Sequence, residues 1–255
     1  METLKKGSKG EDVKVLQRAL GITDDGDFGP GTEKAVREFQ KNHGLVADGI
    51  VGAKTWDVIL SSNGDNMIIE FHPIDKHITK SNSREIKYLV IHFTAGSSSA
   101  SGKALAARNV FLNRDASADF VVDDGTIVQV NPDPWNYYCW AVGDGKGKYG
   151  VTNANSIHIE ICSNLKKGTT VKVPNHEGWY FTDSSIDNAV KLSKLLIRKY
   201  NIPFENVIRH YDATRKLCPG IIGWNPGVIY NPQTGEKTQK NSGEEKWIDF
   251  KKRLA

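Results

Sequence analysis

A chain of 255 residues is long enough for one large domain or for two domains of ordinary size. With 38% hydrophobic and 25% charged residues, its composition is that of a globular protein with a hydrophobic core. The net charge of +4 favours an anionic partner, either a nucleic acid or an anionic cell-wall polymer. Because the basic residues are interspersed among nearly as many acids, the charge indicates solubility first and steering of a partner second.

The cysteines and the first residues indicate where the chain is made. Three cysteines are an odd number and do not suggest a disulfide framework: Cys139, Cys162 and Cys218. We expect Cys139 and Cys162 to be small buried residues. Residues 1–7 lack the apolar core of a signal peptide, and no apolar run approaches the length of a membrane helix. We therefore expect synthesis in the cytoplasm, no membrane insertion and, for a target outside the membrane, export by another route.

The first sixty residues contain a repeat. Residues 25–32 and 48–55 share the pattern Asp-Gly-x-apolar-Gly-x-x-Thr, with the second copy 23 positions after the first. Each copy predicts a glycine-rich turn that leads into a helix, with Thr32 or Thr55 as the N-cap residue. An earlier stripe of Val13, Leu16 and Leu20 has helical spacing. Together these patterns predict a small three-helix domain.

After a polar linker, strand-like runs alternate with longer helical patterns. Residues 119–122 and 126–130 flank Asp123-Asp124-Gly125, which is a strong hairpin signal. Ser184 is the predicted N-cap of a long helix. The alternation predicts an α/β domain with a mixed central sheet flanked by helices. An insertion at about 221–245 is richer in Gly, Pro and Asn, and 233–236 could turn a small surface hairpin.

Three residues have the chemistry and the placement of metal ligands. His92 and His210 each follow a strand-like apolar run, so both are expected at strand ends on one edge of the sheet. Cys218 follows His210 by eight residues and can reach the same ion across a loop. A catalytic zinc takes three protein ligands, commonly nitrogen and sulfur, and leaves the fourth position to water. From spacing alone, the alternative is that the histidines are structural.

Two resemblances add to these patterns. Residues 4–60, with Gly7-Ser8-Lys9-Gly10 and both Asp-Gly turns, resemble the peptidoglycan-binding domain found at the ends of many wall-lytic enzymes. A bare helical bundle with repeated caps and no ligand is the alternative. Residues 88–96, 155–162 and 207–220, above all Arg209-His210-Tyr211-Asp212 and the following Lys-x-Cys-Pro, resemble the zinc-dependent N-acetylmuramoyl-L-alanine amidases of the second type. That family includes phage endolysins and bacterial autolysins and is related to the animal peptidoglycan recognition proteins.

The second resemblance implies roles for five residues. It implies that His92, His210 and Cys218 bind Zn²⁺, which brings the pKa of bound water toward about 7. Glu160 matches the acid of the family's Ile-x-Ile-Glu strand and would move the proton from that water to the leaving amine. Lys216 matches the catalytic lysine and would hold the oxyanion. From the residues alone, Lys216 could be a solvated loop cation, and Glu160 could pair with Arg209 or another base.

The chain departs from that family at two positions. Ala118 stands where many members carry a Tyr or His that assists catalysis, and Val142 stands where His is frequent. More of the catalysis should therefore fall on Glu160. His158 shares the predicted strand face of Glu160 and is expected to line the cleft rather than to bind metal.

Together these observations predict a two-domain cell-wall hydrolase. Residues 1–62 are expected to bind peptidoglycan, 63–75 to form a linker and entry strand, and 76–255 to form the amidase domain. The expected reaction cleaves the amide between N-acetylmuramic acid and L-alanine. The expected form is a monomer without a nucleic-acid partner, either a phage endolysin released through a holin-type pore or a bacterial autolysin. The alternatives are a non-catalytic peptidoglycan-recognition protein and a zinc peptidase that cuts another bond of the wall peptide.

Overall fold

The computed structural model describes residues 2–62, 69–81, 83–142, 149–241 and 243–255. The chain divides into two compact units, one of Met1–Met67 with Arg198–Tyr200 and one of Ile68–Ile197 with Asn201–Ala255. Of the linker and entry strand predicted at 63–75, residues 63–68 lie outside the described residues, and a strand follows them. Among the described residues, no helix has the length and apolar character needed to span a membrane.

The described part of the first unit contains three helices, as the repeat and the earlier apolar stripe together predict: α1 (Glu11–Ala19), α2 (Pro30–Asn42) and α3 (Ala53–Ser62). Its core is formed by apolar side chains from the helices, from the turns between them and from the segment before α1: Leu4, Val13, Leu16, Phe28, Val36, Val51, Trp56 and Ile59. Burial of this stripe supplies the main driving force for a unit of this size.

A buried glutamine joins the turn to the helix in each copy of the repeat. The side-chain nitrogen of Gln17 donates to Asp25 Oδ1 at 2.7 Å and to Thr32 Oγ1 at 3.0 Å. Its oxygen accepts from the backbone nitrogen of Gly26 at 2.8 Å. The same bonds recur 23 positions later around Gln40, with the partners Asp48, Thr55 and Gly49. The repeat is therefore a repeated hydrogen-bond network as well as a repeated turn.

The predicted threonine N-caps are wrong. Thr32 is the third residue of α2, and the N-cap is Gly29, with Pro30 in the first turn. Thr55 is likewise the third residue of α3. The hydroxyl of Thr32 donates back to the carbonyl of Asp27 at 3.3 Å while it accepts from the repeat glutamine. It therefore ties the helix to the preceding turn and does not satisfy a free N–H of the first turn.

Of the described strands of the second unit, six form one central sheet and the other six pair in three two-stranded sheets. The strands in chain order are β1 (Ile69–Phe71), β2 (Ile78–Lys80), β3 (Tyr88–Phe93), β4 (Phe120–Val122), β5 (Ile127–Gln129), β6 (Tyr137–Cys139), β7 (Ser156–Ile161), β8 (Asn164–Leu165), β9 (Trp179–Tyr180), β10 (Val207–Arg209), β11 (Val228–Tyr230) and β12 (Lys237–Asn241). The helices are α4 (Lys103–Val110), α5 (Asp183–Tyr200), α6 (His210–Thr214) and α7 (Glu245–Leu254).

The central sheet has six strands in the order β1-β5-β4-β7-β3-β10 and is mixed, as the sequence predicts. Among the described strands of this sheet, only β4 and β5 pair antiparallel, and they form the predicted hairpin. In its turn, Asp123 Oδ1 accepts from the backbone nitrogens of Gly125 and Thr126 at 2.9 and 2.6 Å. The pairs β4–β7, β7–β3 and β3–β10 are all parallel, so their carboxyl ends lie at one edge. Helix α4 packs against β4 and β5, and α6 packs against β10 and β3.

The long helix α5 begins two residues earlier than the predicted N-cap implies. Its first residue is Asp183, and the hydroxyl of Thr182 accepts from the backbone nitrogen of Ser185 at 3.2 Å. Thr182 therefore performs the capping that the sequence assigned to Ser184. Both residues carry a hydroxyl and lie only two positions apart, so the preference for such caps does not distinguish them.

The insertion folds as the predicted hairpin, β11 with β12. It is hydrogen-bonded to the loop between β8 and β9. The backbone nitrogen of Thr170 donates to the carbonyl of Pro232 at 3.1 Å, and that of Tyr230 donates to the carbonyl of Asn175 at 2.9 Å. The side-chain nitrogen of Asn175 donates to the carbonyl of Val228 at 2.9 Å. The hairpin therefore holds this loop, the wall loop (residues 166–178), in place by hydrogen bonds.

Replacing a repeat glutamine tests the network in the first unit. Gln40→Met keeps the side-chain volume but leaves the buried Gly49 N–H and Thr55 hydroxyl without their glutamine partner. We expect the free energy of unfolding of this unit to fall by about 1–3 kcal/mol. The measurement is chemical denaturation of the full chain, together with hydrogen exchange at the Gly49 amide. Glu38→Met, on an exposed position of the same helix, is the matched control. Equal stability and unchanged exchange in the two variants would contradict the expectation.

Candidate metal centre

The three predicted ligands converge at the carboxyl edge of the sheet. His92 is the fifth residue of β3, and His210 begins α6 directly after β10. Because β3 and β10 are parallel neighbours, these two residues reach the same edge. Cys218 follows in the loop after α6. All three residues are buried, and one ligand atom from each lies within 4.8 Å of the others.

The geometry of the cluster fits a metal ion. Cys218 Sγ lies 3.8 Å from His92 Nδ1, and zinc–sulfur and zinc–nitrogen bonds in a tetrahedral site place such atoms about 3.6 Å apart. His210 Nδ1 is buried and has no hydrogen-bond partner among the described residues. An unpaired buried polar atom is costly, and a metal ion at this position would supply the partner. Two nitrogens and one sulfur form a donor set that suits a borderline-soft divalent ion.

The electrostatics keep both imidazoles in the form that binds metal. Burial lowers the pKa of His92 well below its usual value, and the charges of neighbouring groups add to this effect. Burial also lowers the pKa of His210 to about 4, with a smaller contribution from Lys216. Both rings are therefore neutral at pH 7. Burial raises the pKa of the Cys218 thiol, and a bound cation would offset that effect by stabilising the thiolate.

Glu160 lies beside the cluster on β7, directly opposite His92 in the register of β7 and β3. Its Oε2 atom is buried and has no hydrogen-bond partner among the described residues. Burial raises the pKa of this carboxyl to about 8, although the positive charges of Lys216 and Arg114 oppose the shift. A carboxyl of this kind can both accept and donate a proton near neutral pH.

The alternative role of Glu160 as the partner of Arg209 is wrong. Arg209 is buried and pairs with two other acids, Asp212 at 2.7 Å and Glu244 at 2.7 Å. It also donates to the carbonyl of Trp224 at 2.6 Å. This network holds Arg209, the residue before His210, in place. Glu160 is not part of the network and lines the cleft.

Lys216 is exposed at the mouth of the cleft. Two cavities, of about 290 and 660 Å³, share His210, Lys216 and Trp140 in their walls, and the smaller one also contains Glu160 and Cys218. Lys172 and Pro174 bring the wall loop to the smaller cavity. Their part in the cleft could not be read from the sequence, because it depends on how a loop folds back over the sheet edge.

The two departures from the amidase pattern lie in the hydrophobic core. Ala118 is fully buried and packs in a cluster with Val121 and Val128. Val142 is buried in a second cluster with Val90. Neither side chain has a polar group to offer to the cleft, whereas Glu160 lies directly opposite His92 in the strand register.

The expectation that His158 lines the cleft is wrong. Its side chain is fully buried, and its Nδ1 lies 3.1 Å from Nε2 of His92. The alternation of β7 places His158 on the face of Glu160, as predicted, but two residues further from the carboxyl edge. It therefore stands behind the cluster. The other two cysteines, Cys139 and Cys162, are free and buried, as predicted.

Comparisons with known families and proteins agree with both resemblances. Residues 82–221, more than half of the chain, match the model of the N-acetylmuramoyl-L-alanine amidase family. Residues 9–59 match the model of a putative peptidoglycan binding domain.

Two curated relatives show how far the similarity extends. The N-acetylmuramoyl-L-alanine amidase CwlH of Bacillus subtilis (strain 168) is 31% identical over 141 residues, which are 54% of this chain and 50% of the relative. The zinc D-Ala-D-Ala carboxypeptidase of Streptomyces albus G is 43% identical over 72 residues, 25% of this chain and 28% of the relative. The chain therefore spans half or less of the length of these relatives.

Solved structures support the fold of the second unit. The catalytic domain of XlyA superposes with a TM-score of 0.50 at 25% identity and covers 75% of this chain and 100% of that domain. A mutant endolysin from Bacillus subtilis gives a TM-score of 0.50 at 26% identity and covers 74% of this chain and 99% of that one. With the family model matched over the segment that holds the cluster, the chain belongs to the N-acetylmuramoyl-L-alanine amidase family.

Proposed function

We propose that this protein hydrolyses peptidoglycan at the amide bond between N-acetylmuramic acid and L-alanine. The observation that carries the proposal is the buried cluster of His92, His210 and Cys218 at an open cleft, within the segment that matches the amidase family. The action of the protein is accordingly on the bacterial cell wall, and its substrate is the linkage between glycan and stem peptide.

In this proposal the metal is Zn²⁺, held by His92, His210 and Cys218. When bound, zinc supplies a Lewis acid and a water nucleophile at neutral pH. The donor set of two nitrogens and a sulfur, the neutral state of both rings and the unpartnered Nδ1 of His210 all support this assignment. Three protein ligands would leave the fourth position of a zinc ion to water or a substrate oxygen.

Two further residues carry out the remaining chemistry. Glu160 takes a proton from the nucleophile and returns it to the leaving amine, a role for which its free Oε2 and its position beside His92 suit it. Lys216 extends from the cleft mouth and stabilises the negative charge that develops on the carbonyl oxygen. Its exposure is compatible with this role, because the substrate covers it on binding.

We further propose that residues 1–62 bind peptidoglycan, that 63–75 connect the two parts and that 76–255 form the catalytic domain of a monomer. The match of residues 9–59 to a putative peptidoglycan binding domain supports the first part. Tethering raises the local concentration of the catalytic domain at the wall, so even a weak binding module increases the rate on intact walls.

The first alternative, a receptor that recognises peptidoglycan without cutting it, requires an incomplete metal site. The buried thiol of Cys218 beside the two histidines argues against it. The second alternative is a zinc peptidase that cuts another bond of the wall peptide. The identity of the cleaved bond distinguishes it from the amidase.

Removing the sulfur ligand tests the metal and the reaction together. We expect wild-type protein to bind one zinc ion and to release new L-alanine amino termini from purified walls. Cys218→Ser should lose the metal, and cleavage should fall to background. Zinc content is measured by elemental analysis, and products by mass spectrometry of the muropeptides. Cys162→Ser, at a buried cysteine that is not one of the three clustered residues, is the control. Wild-type protein without metal or with intact glycan–peptide linkages would refute the proposal.

Replacing the carboxyl by its amide separates proton transfer from metal binding. Glu160→Gln preserves shape and should retain zinc, while kcat falls by about 10²–10⁴-fold because the amide cannot accept the proton. The measurement is zinc content together with kcat on soluble wall fragments. Glu177→Gln, an exposed position in the wall loop, should behave as wild type. Normal turnover of Glu160→Gln would show that another group is the base.

Deleting residues 1–62 tests the binding part. The remaining chain should cleave small soluble fragments at the wild-type rate but should act more slowly on intact sacculi, because it no longer concentrates at the wall. Pull-down with sacculi and rate measurements on both substrates provide the comparison. An unchanged rate on whole sacculi would count against a binding role for this segment.

A further inference from the structure

A buried chain of hydrogen bonds runs behind His92. Its Nε2 lies 3.1 Å from Nδ1 of His158, and Nε2 of His158 lies 3.0 Å from the hydroxyl of Ser156. That hydroxyl in turn donates to the carbonyl of Thr152. The side chains of His92, His158 and Ser156 are at most 2% exposed, so no solvent molecule competes for these bonds.

The last acceptor, the carbonyl oxygen of Thr152, fixes the direction of every hydrogen bond in this series. A carbonyl oxygen can only accept, so the single hydroxyl proton of Ser156 points to Thr152. The hydroxyl must then accept from His158, whose Nε2 carries the proton. A neutral imidazole has one bare nitrogen, which in His158 is Nδ1, and this atom accepts from Nε2–H of His92.

This direction determines which nitrogen of His92 is bare. With the proton on Nε2, the lone pair of His92 is on Nδ1, the atom that lies 3.8 Å from Cys218 Sγ. The bare nitrogen is therefore the one that faces Cys218 in the cluster. Hydrogen bonds of this kind fix the tautomer and the ring orientation of metal-binding histidines in general.

His158 is itself held rigidly by the sheet. Its backbone nitrogen donates to Asp119 Oδ2 at 2.8 Å, and its carbonyl accepts from the backbone nitrogen of Asp119 at 3.1 Å. The other carboxylate oxygen of Asp119 accepts from the side chain of Asn131 at 2.6 Å. His158 and His92 lie on neighbouring strands, two residues apart in register, where long side chains on one face meet.

We propose that His158 is a positioning residue that holds His92 as the Nε2–H tautomer with Nδ1 directed at the metal position. The inference rests on the proposed metal centre for its functional consequence, while the tautomer of His92 is a property of the chain itself. His158 touches neither substrate nor metal. It acts through His92. By restricting the His92 ring to one orientation and one proton position, it holds the ring in the form that binds metal.

The test compares two substitutions in the full chain. His158→Phe keeps a ring but removes the acceptor, and zinc affinity should fall by about 10–100-fold. His158→Asn places an amide oxygen near the position of Nδ1 and should recover most of that loss. Zinc dissociation constants are measured by competition with a chromophoric chelator. Ser156→Ala removes only the hydroxyl that orients His158, and we expect its zinc affinity to fall several-fold. This variant tests the same series of hydrogen bonds if His158→Phe folds poorly.

A second readout needs no metal. In the metal-free protein, long-range ¹H–¹⁵N spectra of the imidazoles should show His92 as the Nε2–H tautomer, and His158→Phe should abolish this preference. Affinities within twofold of wild type for all three variants, or a His92 that carries its proton on Nδ1 in the wild type, would overturn the inference. Neither result would affect amide cleavage by the wild type. Conversely, a wild type that fails to bind zinc would refute the proposed function, while the spectra would still decide the tautomer.

Discussion

The parallel pairing of β3 with β7 on one side and β10 on the other is the constraint on which the site depends. It places His92, Glu160 and His210 at the same edge, although they are far apart in the chain. Side chains alternate between the two faces of a strand, so a slip of one residue in β7 would turn Glu160 away from His92. The buried isoleucines of β7 resist such a slip, because the slip would bring His158 and Glu160 into their places.

Unpaired polar atoms at the same edge lower the stability of the fold. Glu160 Oε2 and His210 Nδ1 are buried without a hydrogen-bond partner among the described residues, and the pKa of the Glu160 carboxyl is raised to about 8 by burial. Unpaired polar atoms of this kind destabilise a folded chain unless a ligand completes them. Directly before His210, by contrast, the buried charge of Arg209 is paired with Asp212 and Glu244. Buried polar atoms without partners, next to a buried charge that is paired, are typical of a functional site.

Much of the fold and of the candidate site could be predicted from the sequence, because the patterns that indicate them are local. The repeat and an apolar stripe before it predict the three helices, and Asp123-Asp124-Gly125 predicts the hairpin. Strand-like runs before His92 and His210 predict their common edge. What could not be predicted depends on contacts between distant residues. His158 meets His92 across 66 positions, and only the register of two strands shows that it lies behind the ring. The roles of Gln17 and Gln40 were missed because a buried glutamine on a helix has no sequence signal of its own.

The hairpin of β11 and β12 lies outside the central sheet, yet it holds the wall loop that brings Lys172 and Pro174 to the cleft. The atoms that would bind metal and the surface that meets the rest of the substrate therefore depend on different parts of the chain. Changes in the hairpin can alter the width or charge of the cleft without disturbing the register of the central strands. Reactivity and substrate fit are thus separable in this domain, and exchanging the hairpin and wall loop together is a route to altered selectivity.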